Sequence, residues 1–153
     1  MNKPVTVTAL EGHLGYWLRS VSNHVSHAFG LKLEARDVTV AEWVILRELY
    51  EHTAVMPSEL AVQLGMTRGA VSKLTDRLVA KSLVTRTSSE DDRRYQILAL
   101  TPDGRALVPT LAALADENDA EFFGHLEPAE QTLLKNIMKE ILRRHGVRTV
   151  PID

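Results

Sequence analysis

The chain has 153 residues, of which 44% are hydrophobic and 25% charged, and a formal net charge of −2; this is near the globular average and enough for one domain with a real core. It contains no cysteine, which removes disulfides, thiolate metal ligands and thiol-based oxidation sensing. No apolar run reaches membrane-spanning length and MNKPVTVTALEGHLGYW lacks the apolar core of a secretory signal, so a cytoplasmic protein with no membrane partner is expected.

In chain order, Leu10 to Ala35 reads as a helix with two neighbouring stripes: Leu14, Leu18, Val21, Val25 and Ala28, and beside them His13, Trp17, Ser20, His24 and His27. Thr39 with Glu42 forms a capping box, which predicts a second helix over Val40 to Glu51 carrying Trp43, Ile45, Leu46 and Leu49. Pro57 suits a first helical position, and Leu60, Ala61 and Leu64 follow at helical spacing. Gly65 can take the left-handed conformation that closes this helix, and Thr67 has the side-chain oxygen to cap the next. In that next helix Val71, Leu74 and Leu78 must face the core. The outward face is then Arg68, Gly69, Ser72, Lys73 and Arg77.

After Lys81 the pattern changes. Leu83 to Arg86 and Tyr95 to Ala99 suit strands, and Thr87 to Arg94 between them is a polar hairpin loop too long for a two-residue turn. Pro102 then opens a helix through Leu107, Leu111, Leu114 and Phe122, interrupted at Gly124. Pro128 opens a last helix whose broad apolar face, Leu133, Leu134, Ile137, Met138, Ile141 and Leu142, ends at Gly146. The expected fold class is mainly α with a small β-hairpin wing (α+β): a winged helix-turn-helix over residues 39–101, flanked by terminal helices at 8–35 and 102–146, all within one domain spanning 1–153. The terminal helices are too apolar on too many sides for a free monomer, so they are expected to intertwine about a two-fold axis in a homodimer.

A winged helix-turn-helix reads double-stranded DNA, and the residue types fit that task. From Gly65 to Arg86 there are five basic residues, Arg68, Lys73, Arg77, Lys81 and Arg86, against one acid, Asp76. Arg and Lys donate to guanine edges or phosphates, Ser and Thr bond either, and glycine permits close approach, so Thr67, Arg68, Gly69, Ser72, Lys73, Arg77 and Arg86 are the expected contacts. The positive end of the helix dipole at Thr67 to Ala70 favours a nearby phosphate. Arg93 and Arg94, at the base of the wing loop, suit a narrow minor groove. Asp92 is assigned to bracing Arg94 through a bidentate bond, while Asp76 is left open to an ion pair with Arg77. Asp116, Glu117, Asp119 and Glu121 would repel DNA and should point away from it.

These residues together resemble the MarR (multiple antibiotic resistance regulator) family of bacterial transcription factors. The likeness is carried by SELAVQLGMTRGAVSKLTDRLVAKSLV (Ser58 to Val84), by Asp92-Arg93-Arg94 in the wing and by Leu100-Thr101 before a helix. It implies a homodimer, a recognition helix over Thr67 to Arg77 and Arg94 as the minor-groove finger. One departure is Ser82, where the family usually has glycine, so a slightly strained helix end is expected. The resemblance also implies a small aromatic or phenolic acid effector, held between the dimer helices and the winged helix. His13 and Trp17, with His24 and His27, facing Trp43 and Arg47 would offer it an aromatic wall with polar groups. Packing is the commoner role for both tryptophans, and Arg47 can equally pair with Glu51.

Two other function classes fit the sequence less well. A winged helix used only for protein contacts would favour an apolar or acidic outward face, unlike the one here. An enzyme finds no glycine-rich phosphate loop and no nucleophile motif, and no catalytic residue or cofactor is assigned. His24 and His27 lack a third ligand by spacing, so no metal site is expected. The expected product is a DNA-binding regulator, a repressor in the first instance, of a near-palindromic operator whose half-sites lie about one turn, roughly 34 Å, apart.

Overall fold

A computed structural model describes residues 4–152. After a 3-10 turn at Leu10–Gly12 the chain forms α1 (Leu14–Glu34), α2 (Val40–Tyr50), α3 (Pro57–Leu64), α4 (Arg68–Ala80), strands β1 (Val84–Ser88) and β2 (Gln96–Leu100), α5 (Pro102–Phe123) and α6 (Pro128–Arg144). The α+β class expected from the sequence is the observed one. The first helix starts later than its apolar pattern does, because His13 is extended, with φ −101 and ψ 128.

The local signals act as their chemistry dictates. Thr39 accepts from the Glu42 amide at 3.1 Å while the Glu42 carboxylate accepts from the Thr39 amide at 3.2 Å. Pro57, Pro102 and Pro128 each open a helix, where a missing N–H is no loss. Gly65 closes α3 with φ +62, and a Cβ there would also lie 2.9 Å from the Thr149 Cα of the returning C-terminal tail. That tail is held by the Val150 amide, which donates to the Leu64 carbonyl at 3.1 Å. Ser82 has φ +60, the left-handed strain expected where glycine is the comfortable choice.

β1 and β2 pair antiparallel, from Val84 opposite Leu100 to Ser88 opposite Gln96. The strands therefore run further than their composition suggests, taking in Thr87 and Ser88 and shortening the loop to 89–95. Val55, between α2 and α3, exchanges two backbone hydrogen bonds with Leu98 at 3.0 and 2.8 Å, which fastens the wing to the helical lobe. Gly104 is a further anchor: a Cβ there would sit 2.1 Å from the Leu83 carbonyl oxygen. Thr101 completes this joint, its hydroxyl donating to the Ser82 carbonyl at 2.8 Å and accepting from the Gly104 amide at 3.0 Å.

The core lies under the helix-turn-helix: Ile45, Leu46 and Leu49 of α2, Leu60 and Leu64 of α3, Val71, Leu74 and Leu78 of α4, Leu98 of the wing, and Val108 and Leu111 of α5. α1 contributes only Leu33, and α6 has no buried residue. α1 is joined to α5 by Lys32, whose ammonium donates to Asn118 Oδ1 at 3.1 Å and Glu121 Oε2 at 2.6 Å, while Asn118 Nδ2 donates to the Val25 carbonyl at 3.2 Å. Glu121 thus serves an ion pair, and Asp116, Glu117 and Asp119 are solvent-exposed.

Candidate nucleic-acid interface

α4 is built to show one face. Burying Val71, Leu74 and Leu78, with Thr75 donating to the Val71 carbonyl at 2.6 Å, leaves Arg68, Gly69, Ser72, Lys73 and Arg77 exposed. Thr67 caps the helix by accepting from the Ala70 amide at 3.1 Å. A Cβ on Gly69 would meet nothing within 4 Å, so no fold constraint requires glycine there; its smallness is available to an approaching partner.

The five cations of this stretch divide into two groups. Arg68, Lys73 and Arg77 have no ion-pair partner among the described residues. Lys81 is turned inward to Glu42 at 2.8 Å, and Arg86 is held by Asp76 at 2.7 Å with its Nε buried and without a hydrogen-bond partner. Asp76 therefore pairs with Arg86 across α4 and β1, and not with Arg77 as one reading of the sequence allowed. The physical reason is facing: Arg77 points out from α4, while Arg86 on the strand folds over it. Arg86 remains three-quarters covered, so its charge is shared with the protein before anything else reaches it.

In the wing, Arg93 and Arg94 are the central residues of a tight turn, Asp92 to Tyr95, that leads into β2 at the base of the hairpin loop. The turn is closed by the Tyr95 amide donating to the Asp92 carbonyl at 3.1 Å and the Ser89 amide donating to the Tyr95 carbonyl at 2.8 Å. The Asp92 brace takes the expected bidentate form: Arg94 Nε donates to both carboxylate oxygens at 3.1 Å, Nη2 donates to Oδ2 at 2.7 Å, and the Arg94 amide donates to Oδ1 at 3.0 Å. These side-chain and backbone bonds hold the Asp92 carboxyl below its ordinary range and the Arg94 guanidinium above its own. Arg94 is nonetheless 83% exposed, an outward cation with a set direction.

Each of the four residues expected to line an effector site has a local partner within the chain. His13 Nδ1 lies 3.1 Å from the Ala9 carbonyl oxygen, and Trp17 donates from Nε1 to the Glu11 carbonyl at 2.8 Å while standing edge-on to Tyr16. Trp43 packs edge-on against Phe29 at 6.5 Å, and Arg47 pairs with Glu51 and lies 5.9 Å from the Tyr50 ring centre. Two cavities occur elsewhere: one of about 460 Å³ beside His27, Leu31, Val38, Val40 and Lys81, and one of about 640 Å³ between α5 and α6 beside Phe123, Leu134 and Met138. Neither is lined by those four residues. Among the described residues no group of three or more His, Asp or Glu side chains is arranged to hold a metal, and no helix is long and apolar enough to cross a membrane.

Comparison with known proteins places this geometry. Residues 38–95 match the model of the MarR family. The transcriptional regulator PrsX of Escherichia coli is 30% identical over 112 residues, covering 72% of this chain and 68% of that protein. Two solved structures superpose closely. A MepR–DNA complex from S. aureus has a TM-score of 0.78 at 26% identity, covering 86% of this chain and 98% of that one. Bordetella bronchiseptica BpsR, whose DNA binding is regulated by 6-hydroxynicotinic acid, has a TM-score of 0.77 at 25% identity, covering 89% and 97%.

Proposed function

This chain belongs to the MarR family of transcriptional regulators, and on that premise we propose that it works as a homodimeric repressor that binds a near-palindromic operator and is released by a small aromatic acid. One observation carries the DNA-reading part: an exposed α4 face with Arg68, Lys73 and Arg77 free of acidic partners among the described residues, beside a wing whose Arg94 is pre-aimed by Asp92. Side chains already held in the binding geometry lose less entropy on docking. Thr67, Arg68, Gly69, Ser72 and Lys73 enter the major groove, Arg77 and Arg93 take phosphates, and Arg94 enters the minor groove. Arg86 contributes through Asp76, holding the wing to α4.

The homodimer is supported by two unpartnered apolar faces. On α1, Leu14, Trp17, Leu18 and Val21 are each about half exposed or more; on α6 the same holds for Leu133, Ile137, Ile141 and Leu142. Apolar surface on this scale marks an interface in a folded chain. Ligand release is supported by the BpsR likeness. The effector must prefer a dimer whose reading heads are wrongly spaced for the duplex. In a dimer, His13 and Trp17 of one face can be completed by the partner subunit, which the single chain cannot do.

The test is duplex binding across a salt series. A preference for one near-palindrome with a steep negative log–log slope is expected. Equal affinity for all duplexes, or none at low salt, would reject the proposal.

A further inference from the structure

Lys81 is the residue on which α4 ends, and its ammonium is occupied. Nζ donates to Glu42 Oε2 at 2.8 Å and to the Asp37 carbonyl oxygen at 2.6 Å, with Asp37 Oδ1 at 3.8 Å. Glu42 is 2% exposed, and the oxygen that receives Lys81 also accepts from the Thr39 amide in the capping box of α2. Asp37 stands at φ +56 in the turn that leaves α1. One cation therefore joins three points: the exit of α1, the start of α2 and the end of α4. A carboxylate buried this deeply needs its counter-charge, so the tie is kept closed by the cost of leaving Glu42 alone.

This tie links the end of α4 directly to the exit of α1, beside the packing of α4 on α2, α3 and β1. Since α1 presents the apolar face assigned above to the dimer, the distance between the two α4 helices in the dimer depends on how firmly each is held to its own α1. We propose that Lys81, through Glu42 and Asp37, is a positioning residue that sets the half-site spacing this regulator accepts. The proposal rests on the homodimer reading. It differs from a plain stability role in what it controls. A residue that only holds the fold together changes the amount of competent protein, which scales affinity for every operator by the same factor. A residue that fixes the separation of two reading heads changes the ratio between operators. Adding one base pair between half-sites moves them apart by about 3.4 Å and rotates them by about 35°, a change that a firm dimer rejects and a loosened one tolerates. Under this assignment Lys81 touches no phosphate, because its ammonium is directed to Glu42 Oε2 and the Asp37 carbonyl.

The experiment uses the full chain, with an operator selected from random duplexes and remade with one base pair inserted or removed at its centre. Lys81→Met keeps the aliphatic stem and removes the charge. Because it strands Glu42, the double variant Glu42→Gln/Lys81→Met is measured beside it, and each protein is first sedimented. The wild type should form a dimer and discriminate sharply between spacings. In the variants the fold-penalty for the altered spacing should shrink at least tenfold, with the salt slope unchanged. A dimeric variant with the wild-type penalty would overturn the latch, and a salt slope shallower by about one would overturn it in favour of a phosphate contact. A wild type that sediments as a monomer would instead reject the homodimer reading and the latch with it.

Discussion

Arg94 owes its direction to Asp92, and the pair is exposed, so its value lies in aim and not in fold stability. Arg94→Ala should weaken operator binding while leaving dimerisation and the melting temperature nearly unchanged. Asp92→Asn should produce part of the same loss with the cation still present. Fluorescence anisotropy beside a thermal melt checks both, and a parallel loss of melting temperature would contradict the assignment. The pH sign follows from the depressed Asp92 carboxyl: the brace is intact above the ordinary aspartate range and is lost only as pH falls through the lowered value. The Arg94-dependent share of affinity should therefore be flat from neutrality to about pH 5. Gly104 acts at the same scale with the opposite balance. Its missing Cβ makes room for the Leu83 carbonyl, so Gly104→Ala should destabilise by about 1–3 kcal/mol, read as a lowered denaturation midpoint.

At the scale of the element, α4 separates two jobs by face. Val71, Leu74 and Leu78 hold it in the core, and Arg68, Ser72, Lys73 and Arg77 are free on the other side. Substituting the outward residues should leave the fold intact. Arg68→Ala or Ser72→Ala should cost about 1–3 kcal/mol against the preferred operator and relax choice at one base position. Arg77→Ala, at a phosphate, should weaken all duplexes alike and reduce the salt slope by about one. A binding-site selection repeated with each variant distinguishes these outcomes. The wing is a second such element, rooted by Val55 on Leu98 and by Thr101 and Gly104 against the Ser82–Leu83 backbone, so its arginine turn projects from a fixed base.

For the whole molecule the decisive feature is apolar area left uncovered. α6 buries none of its residues within the chain, and Leu133, Ile137, Ile141 and Leu142 are each about half exposed or more. Placing a charge there, as in Ile137→Asp, should disrupt the dimer, because an unpaired carboxylate in a desolvated interface is costly. Sedimentation should then show monomer, and operator affinity should fall far more than affinity for a single half-site. Retention of the dimer would move the interface elsewhere.

Most of the helical plan was legible in the chain itself, because it rests on interactions between residues a few positions apart. The Thr39–Glu42 box, the prolines that open α3, α5 and α6, the Gly65 closure and the Thr67 cap each act within one turn of backbone. The Asp92–Arg94 brace spans two residues and was legible for the same reason. Charge partners distant in sequence were not. Lys81 and Arg86 look like free cations beside Arg68 and Lys73 until folding sets them against Glu42 and Asp76. The tie of Lys32 to Asn118 and Glu121, the pairing of Val55 with Leu98 and the packing of Trp43 on Phe29 likewise depend on how α1, α2, α5 and the wing stack. Periodicity tells which side of a helix is buried; only tertiary packing decides what that side meets, since the partner is chosen by proximity in space across dozens of residues.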